Sequence, residues 1–549
     1  MRLLCLLFIT PLLIIADDSR RILVVTASPA DYIYAAGGTL AQYIEDGWRV
    51  DVAIFANGEK MSQGLNPAQT RLVNMQEARE AAKQLGVTDV IRMDLKSGEL
   101  GHVSATEMRN QLFALIRGIK PRLLFIPDPY VHYQDDADAI LTGNMAEEAW
   151  GYSGGGTFGN ELARMGLAPY GAPEVFYYSA YRPYRKGEGG ETERARFVHR
   201  DIGAKLEHKI HAAELLHNRN RTWLALRGRA ADDASARRHT REFLTELAAT
   251  IGAKHGVPYA EEFNHVAPAG TPATPQPFTK RQETTSGNVL VITPSMRDVL
   301  FAAGGTLARM AGEGRAVYIA VFGNEEKRSL GQGPAETRIA NNAEGERAAK
   351  MLGVREVINL GHKSGELGML SSSELRNQVM ALTRLYKPEI LFFPDWYVHY
   401  QDDNDLYRTG RMAEESPYGG SSLFLQEMSY LGFPGASARQ YYFFVPYRPY
   451  RKGEGGEGNA TMKQTDIGEV LEKKIEAVLQ LQTANAAWAA ELSARSGRKL
   501  EAGELVRAFV TELAETTAQA HGLRYAEEFN HLRPVGGLPA HVREKARRR

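Results

Sequence analysis

The sequence predicts an α/β protein in which one domain, a parallel sheet between helices, is written twice in tandem. Three observations carry this. The first is repetition: AAGGTLA at 35–41 returns at 302–308, an offset of 267 (304 − 37). SGELG at 97–101 and VHYQDD at 131–136 return with the same offset at 364–368 and 398–403. The offset becomes 266 for YRPYRKGEGGE (181–191 and 447–457) and YAEEFNH (259–265 and 525–531). A period this long marks a duplicated domain rather than a solenoid, so each half must bury its own core. The second is the alternation of short β-branched runs with amphipathic stretches, the pattern of a layered parallel sheet. The third is composition: 43% hydrophobic and 24% charged residues are ordinary for a globular protein.

The elements of the first copy follow in order. Residues 21–28, RILVVTAS, read as a strand buried on both faces. Gly37-Gly38 opens a helix over 39–46, closed by Gly47. Residues 50–56 form a second strand, and 67–85 a helix that begins at Pro67 and ends at Gly86. Residues 90–95 are a strand, 105–119 a helix ending before Pro121, and 122–126 a strand stopped by Pro127. A helix covers 137–149. After Tyr181 the character changes: a polar loop leads to helices over 202–216 and 235–255, a helical C-terminal extension. Ligands of such sheets bind at the carboxyl ends of the strands. Segments 28–31, 57–59, 97–101 and 128–136 fall there.

The resulting layout is a signal peptide over 1–16, domains over 21–265 and 289–532, a Pro/Thr-rich linker over 266–288 and a basic tail over 533–549. The apolar run from Leu3 to Ala16 is short for a membrane span. It reads as a secretory signal, which places the chain in a periplasm or outside the cell, with no stable span once it is cleaved. The single cysteine, Cys5, lies within it, so the mature chain has no thiol for disulfides or metal. Sixty-six basic residues balance 66 acidic ones, and nothing argues for nucleic acid as a partner. The Gly-Gly pair lacks the G-x-G-x-x-G frame, so close packing explains it better than a nucleotide.

Several features occur together in the first half: a strand followed by a short motif with Asp31, AGGTLA, Asn57-Gly58-Glu59, the Ser-Gly-Glu-Leu segment, a strand running into an Asp-Asp pair, Asp201, Lys209 and Tyr259-Ala-Glu-Glu-Phe263. Nearly all of both halves closely resembles the PIG-L/LmbE-like family of zinc-dependent de-N-acetylases. The resemblance implies a Rossmann-like fold and hydrolysis of an N-acetyl group from an amino sugar or glycoconjugate. It also implies a first strand ending in Ala-His-Pro-Asp-Asp. There the His and second Asp ligate zinc, the first Asp is the general base, and a later His completes the site. Three ligands leave an open position where zinc lowers the pKa of a bound water.

This sequence departs from that pattern in both copies. Ser28 and Ser295 stand at the His position, Ala30 and Arg297 at the base position, and Asp136 and Asp403 at the later His. Asp31 and Asp298 are unchanged. Without imidazoles the set loses the ligands best suited to zinc. The remaining carboxylates, Asp31, Asp136, Asp298 and Asp403, suit magnesium, manganese or calcium, or no metal at all. Arg297 cannot act as a base; it either repels a neighbouring cation or substitutes for its charge.

His132 and His399, with Asp135 and Asp402, are candidates for the catalytic groups of a rebuilt site. The islands shared by the two copies supply candidate substrate contacts: Glu99, Glu366, Tyr133, Tyr400, Arg185 and Arg451. Such residues suit a sugar or an anionic conjugate. They are equally compatible with architecture, for example Arg185 or Arg451 pairing with Glu261 or Glu527. Asp201, Asp466, Lys209 and Lys474 read as structural. Two functions stay open: an exported metal-dependent amide hydrolase with an altered site, and a catalytically silent glycoconjugate-binding protein. Either takes a small-molecule or glycan ligand, and the duplication allows an internal pseudo-dimer.

Overall fold

The computed structural model describes residues 20–131, 136–156, 158–185, 188–189, 195–267, 287–398, 403–416, 424–456 and 460–533. The expected signal peptide, most of the linker and nearly all of the basic tail lie outside these residues. The chain divides into two compact units, each with its own sheet and core.

The first sheet contains β1 (Arg21–Thr26), β2 (Arg49–Ala56), β3 (Asp89–Leu95), β4 (Leu123–Pro127), β5 (Glu174–Tyr178), β6 (Ala195–Asp201) and β7 (Ala260–Val266). Its order is β3-β2-β1-β4-β5-β7-β6. The first five strands are parallel, and β7 joins β5 and β6 antiparallel. Helices α1 (Pro29–Glu45), α2 (Pro67–Leu85), α3 (Ala105–Ile119) and α4 (Ala137–Ser153) alternate with the early strands. The short α5 (Asn160–Arg164) follows, and α6 (Leu206–Glu214), α7 (His217–Ala225) and α8 (Asp233–His255) form the extension. The second sheet, β8 to β14, repeats the order as β10-β9-β8-β11-β12-β14-β13. Its strands are β8 (Val289–Thr293), β9 (Val317–Gly323), β10 (Glu356–His362), β11 (Ile390–Pro394), β12 (Gln440–Phe444), β13 (Thr461–Asp466) and β14 (Ala526–Leu532).

The local chemistry explains most boundaries. Asn66 and Gln69 form a reciprocal cap at the start of α2, Pro67 occupies its first turn, and Gly86 ends it at φ 85°. The core of the first half packs Ile22, Val24, Val52, Leu123, Phe125 and Phe176 between helices, with Phe125 and Phe176 stacked at 4.7 Å. A buried Arg117 on α3 donates to the carbonyls of Ser153, Gly155, Phe158 and Gly159 at 3.0–3.3 Å, pinning the turn after α4.

Three expectations need correction. Gly37-Gly38 does not open a helix; it lies in the middle of α1, which starts at Pro29. A Cβ at Gly38 would sit 2.8 Å from Ile202, so the glycine permits close contact with the segment entering α6. The extension is not wholly helical: YAEEFNH supplies β7 and β14, which lie within the sheets rather than lining a cleft. Its stretch 202–216 is also broken, into a short turn and α6, and ends at the residue that caps α7. No described helix is long and apolar enough to cross a membrane.

Candidate functional site

In each half the site is built at the carboxyl end of the first strand. Ser28 leaves β1 and caps α1, and its backbone N–H donates to Asp31 Oδ2 at 3.1 Å. The hydroxyl of Tyr181, three residues beyond β5, donates to Asp31 Oδ1. Asp136 caps α4, accepting from the Ala139 N–H at 3.1 Å. Helix α4 comes this close to β4 because Gly143 has no side chain; a Cβ there would lie 2.5 Å from the Pro127 carbonyl oxygen. Burial raises the Asp31 carboxyl above its usual range. Burial, and then the charge of Asp31, pushes Asp136 up to about 7. The two carboxylates are therefore close enough to repel.

A cation answers them. Arg219, half-buried on α7, donates Nη2 to the Tyr181 hydroxyl at 2.9 Å and Nη1 to the Tyr34 hydroxyl at 3.4 Å. Its guanidinium lies 5.1 Å, 5.6 Å and 5.9 Å from the rings of Tyr34, Tyr181 and Trp223. Beside it a cavity of about 70 Å³ is lined by Ser28, Asn57, Met61, Glu77, Arg92 and Arg219.

The second half keeps the plan and changes the parts. Ser295 caps α9 (Met296–Gly312), and its hydroxyl donates to Asp298 Oδ2 at 2.8 Å. The Tyr447 hydroxyl donates to Asp298 Oδ1. Asp403 caps the helix Asn404–Glu415, and burial followed by the charge of Asp298 pushes it up to about 6. Arg328, in the loop after β9, stands 3.8 Å from Asp298 Oδ1. Arg297 lies 4.9 Å over Tyr447 and 4.7 Å over Trp488, which belongs to the helix Gln482–Ser496. Arg297 Nε and Arg328 Nη1 are buried without a hydrogen-bond acceptor among the described residues. Glu325 accepts from the Met296 N–H at 2.6 Å, and burial pushes it up to about 7.

Other expected site residues go elsewhere. Glu99 pairs with Lys96 at 2.8 Å and Lys60 at 3.4 Å, and Glu366 with Lys363 at 2.6 Å, all on the surface. Their loop is held by architecture: Asp138 accepts from the N–H groups of Gly98 and Leu100, as Asp405 does from those of Gly365 and Leu367. The side chains of Arg185 and Arg451 are exposed, and their backbone N–H groups donate to Glu188 and Glu454 at 3.0 Å. The suggested pairing of Arg185 or Arg451 with Glu261 or Glu527 is replaced by buried Lys209–Glu261 and Lys474–Glu527 pairs, each at 2.7 Å. His132, Tyr133, Asp135, His399, Tyr400 and Asp402 lie outside the described residues. The sequence reading missed Tyr181, Tyr447, Arg219 and Arg328. The tyrosines sit in a shared island and could have been found there. The arginines could not, because Arg219 and Arg328 have no arginine counterpart in the other half.

Residues 23–150 and 290–411 match the PIG-L family model, GlcNAc-PI de-N-acetylase. Each half thus contains a PIG-L segment. A diacetylchitobiose deacetylase from Thermococcus kodakarensis is 24% identical over 169 residues, covering 30% of this chain and 62% of that protein. The match thus spans less than two thirds of that relative's length. Among solved structures, the N,N'-diacetylchitobiose deacetylase of Pyrococcus horikoshii, in complex with its inhibitor, is 23% identical and covers 46% of this chain and 85% of its own, with a TM-score of 0.38. A 4-carboxy-2-hydroxymuconate hydratase from Pseudomonas putida is 22% identical and covers 46% of this chain and 99% of its own, with a TM-score of 0.35.

The described residues of the two halves do not fit zinc. Both oxygens of Asp31 and of Asp298 already accept from a tyrosine and a serine. No group of three or more His, Cys, Asp or Glu among the described residues could hold a metal ion. A fixed guanidinium beside the carboxylates also opposes a dication, at about 4 kcal/mol per unit of like charge at about 4 Å and an effective dielectric of about 20.

Proposed function

We propose that this chain is an exported glycoconjugate-recognition protein whose two PIG-L clefts hold an N-acetylated amino sugar and do not hydrolyse its amide. The observation that carries this is the state of Asp31 and Asp298: each is held by tyrosine and serine donors beside an arginine, in place of a metal-activated water. Family membership and a relative named for deacetylating diacetylchitobiose support the ligand class. Aromatic faces and guanidinium donors suit sugar rings and their oxygen substituents. The apolar run at the start of the chain supports export.

Hydrolysis is the second reading, favoured by one observation. Asp31 and Asp136 face each other, and Asp136 is pushed up to about 7, within the range of a general acid or base at neutral pH. The deciding experiment equilibrates the full chain with zinc or manganese, then measures bound metal, acetate release from N,N'-diacetylchitobiose, and binding of the same sugar by calorimetry. Binding without metal or acetate release is expected. Acetate release that disappears in an Asp31→Asn/Asp298→Asn variant would establish hydrolysis and overturn the recognition reading.

A further inference from the structure

We infer that each half has replaced the metal of its family with a guanidinium of its own, and that the two halves drew it from different elements. This rests on the non-hydrolytic reading above. Three positions decide the matter. In the first half they are Ala30, Met61 and Arg219; their counterparts in the second are Arg297, Arg328 and Ala484. Contacts fix the correspondence. Ala30 and Arg297 are each the second residue of their helix, two after the capping serine. Asn74 and Asn341 reach back to the carbonyls of Gly58 and Glu325, at 2.6 Å and 2.9 Å, which aligns the loops carrying Met61 and Arg328. Asn220 and Asn485 donate to the carbonyls of Ala213 and Val478, each at 2.8 Å, which aligns Arg219 with Ala484. Each position that is arginine in one half is alanine or methionine in the other.

Despite this exchange, the charge arrives at the same place. Arg219 donates to Tyr181, the tyrosine that donates to Asp31. Arg328 stands 3.8 Å from Asp298 Oδ1, and Arg297 lies over Tyr447, the tyrosine that donates to Asp298. Equivalent tryptophans, Trp223 and Trp488, support Arg219 and Arg297. The formal charge also agrees. In the first half Asp31 and Asp136 face Arg219; in the second, Asp298, Asp403 and Glu325 face Arg297 and Arg328. Among these described groups, one net negative formal charge remains in each half. Glu325, standing where the first half has Gly58, balances the second half's additional arginine. Facing carboxylates are relieved by a proton on one of them or by a cation beside them. A guanidinium supplies it permanently, and its presence bars a divalent ion from the same place.

The test uses the full chain with Arg219→Met, Arg219→Lys and Arg219→Met/Asp31→Asn, followed by thermal unfolding with and without manganese, the divalent ion suited to carboxylate donors. Wild type and Arg219→Lys should show no manganese-dependent shift in melting temperature. Arg219→Met should melt lower, and either manganese or the added Asp31→Asn change should restore it. An Arg219→Met protein as stable as wild type, or one that neither change restores, would make Arg219 a packing residue and overturn the inference while leaving the recognition reading intact. If Arg219→Met does not fold, normal folding of Arg219→Lys supports the inference, and its failure overturns it. Stoichiometric manganese or zinc on wild type, lost in Asp31→Asn, would instead overturn the recognition reading and the inference with it.

Discussion

Replacing Lys209 with methionine should unfold the first half at a much lower temperature and leave the second half unchanged. Lys209 and Glu261 have side chains 1% exposed, 2.7 Å apart. Glu261 also accepts from the N–H groups of Gly38 at 2.9 Å and Thr39 at 2.7 Å, and Lys209 donates to the Tyr34 carbonyl at 2.7 Å. At that spacing the bare attraction is about 6 kcal/mol at an effective dielectric of about 20. Desolvation of the ammonium offsets part of this, and the two amides still hold the stranded carboxylate. The expected loss is therefore about 3–5 kcal/mol, the usual range for breaking a buried pair. For a domain of this size that lowers the melting temperature by roughly 6–20 °C. Calorimetry on the full chain is the assay, with Lys474→Met as the mirror experiment, since Lys474 and Glu527 repeat the pair at 2.7 Å. In a double-mutant cycle, Lys209→Met with Glu261→Gln should lose clearly less than the sum of the single changes. A loss below about 1 kcal/mol for Lys209→Met would show that the pair is not holding α1 to β7, and the reasoning would fail.

Three further outcomes can be checked in the same way. Burial pushes Glu77 up to about 7 from 4.5, so its contribution to stability is full below 4.5 and is lost as pH rises towards 7. Glu77→Gln should flatten that slope, which amounts to at most about 3 kcal/mol, as read from melting curves between pH 4 and pH 8. Gly38→Ala places a Cβ 2.8 Å from Ile202, and Gly305→Ala one 2.8 Å from Ile467. Each should cost about 1–3 kcal/mol in denaturant titrations, and an unchanged midpoint would mean that the backbone yields freely. Arg117→Met leaves four carbonyls without their donor. Hydrogen exchange should quicken over residues 153–159, and unchanged protection there would refute the pinning role.

The parallel strands and the duplication were legible because β1, β2 and β4 are buried on both faces and so read as apolar runs, that of β2 interrupted only by the buried Asp51. Strand β7 was not legible. Its sequence, AEEFNHV, buries Glu261 and Glu262, whose charges are met by Lys209 on α6 and Lys254 on α8. Partners on helices outside the strand, that of Glu261 being 52 residues away, left a buried strand looking like a polar cleft. Gly37-Gly38 misled for a related reason: its close neighbour, Ile202, lies more than 160 residues away. Asp31, Asp136, Asp298 and Asp403 could be placed by resemblance. Arg219 and Arg328 could not, because comparing the halves selects what they share, and these arginines are what they do not share.

The hold of Glu261 on the middle of α1 has a consequence for how the chain is made. Helix α1 begins at Pro29, within the first dozen described residues, whereas β7 ends at Val266. A nascent first half therefore keeps two N–H groups of α1 and the ammonium of Lys209 waiting for a carboxylate that is among the last groups synthesised. At about 5–20 residues per second the wait is roughly ten seconds to most of a minute. The first half closes only as the stretch from 268 to 286 follows it out.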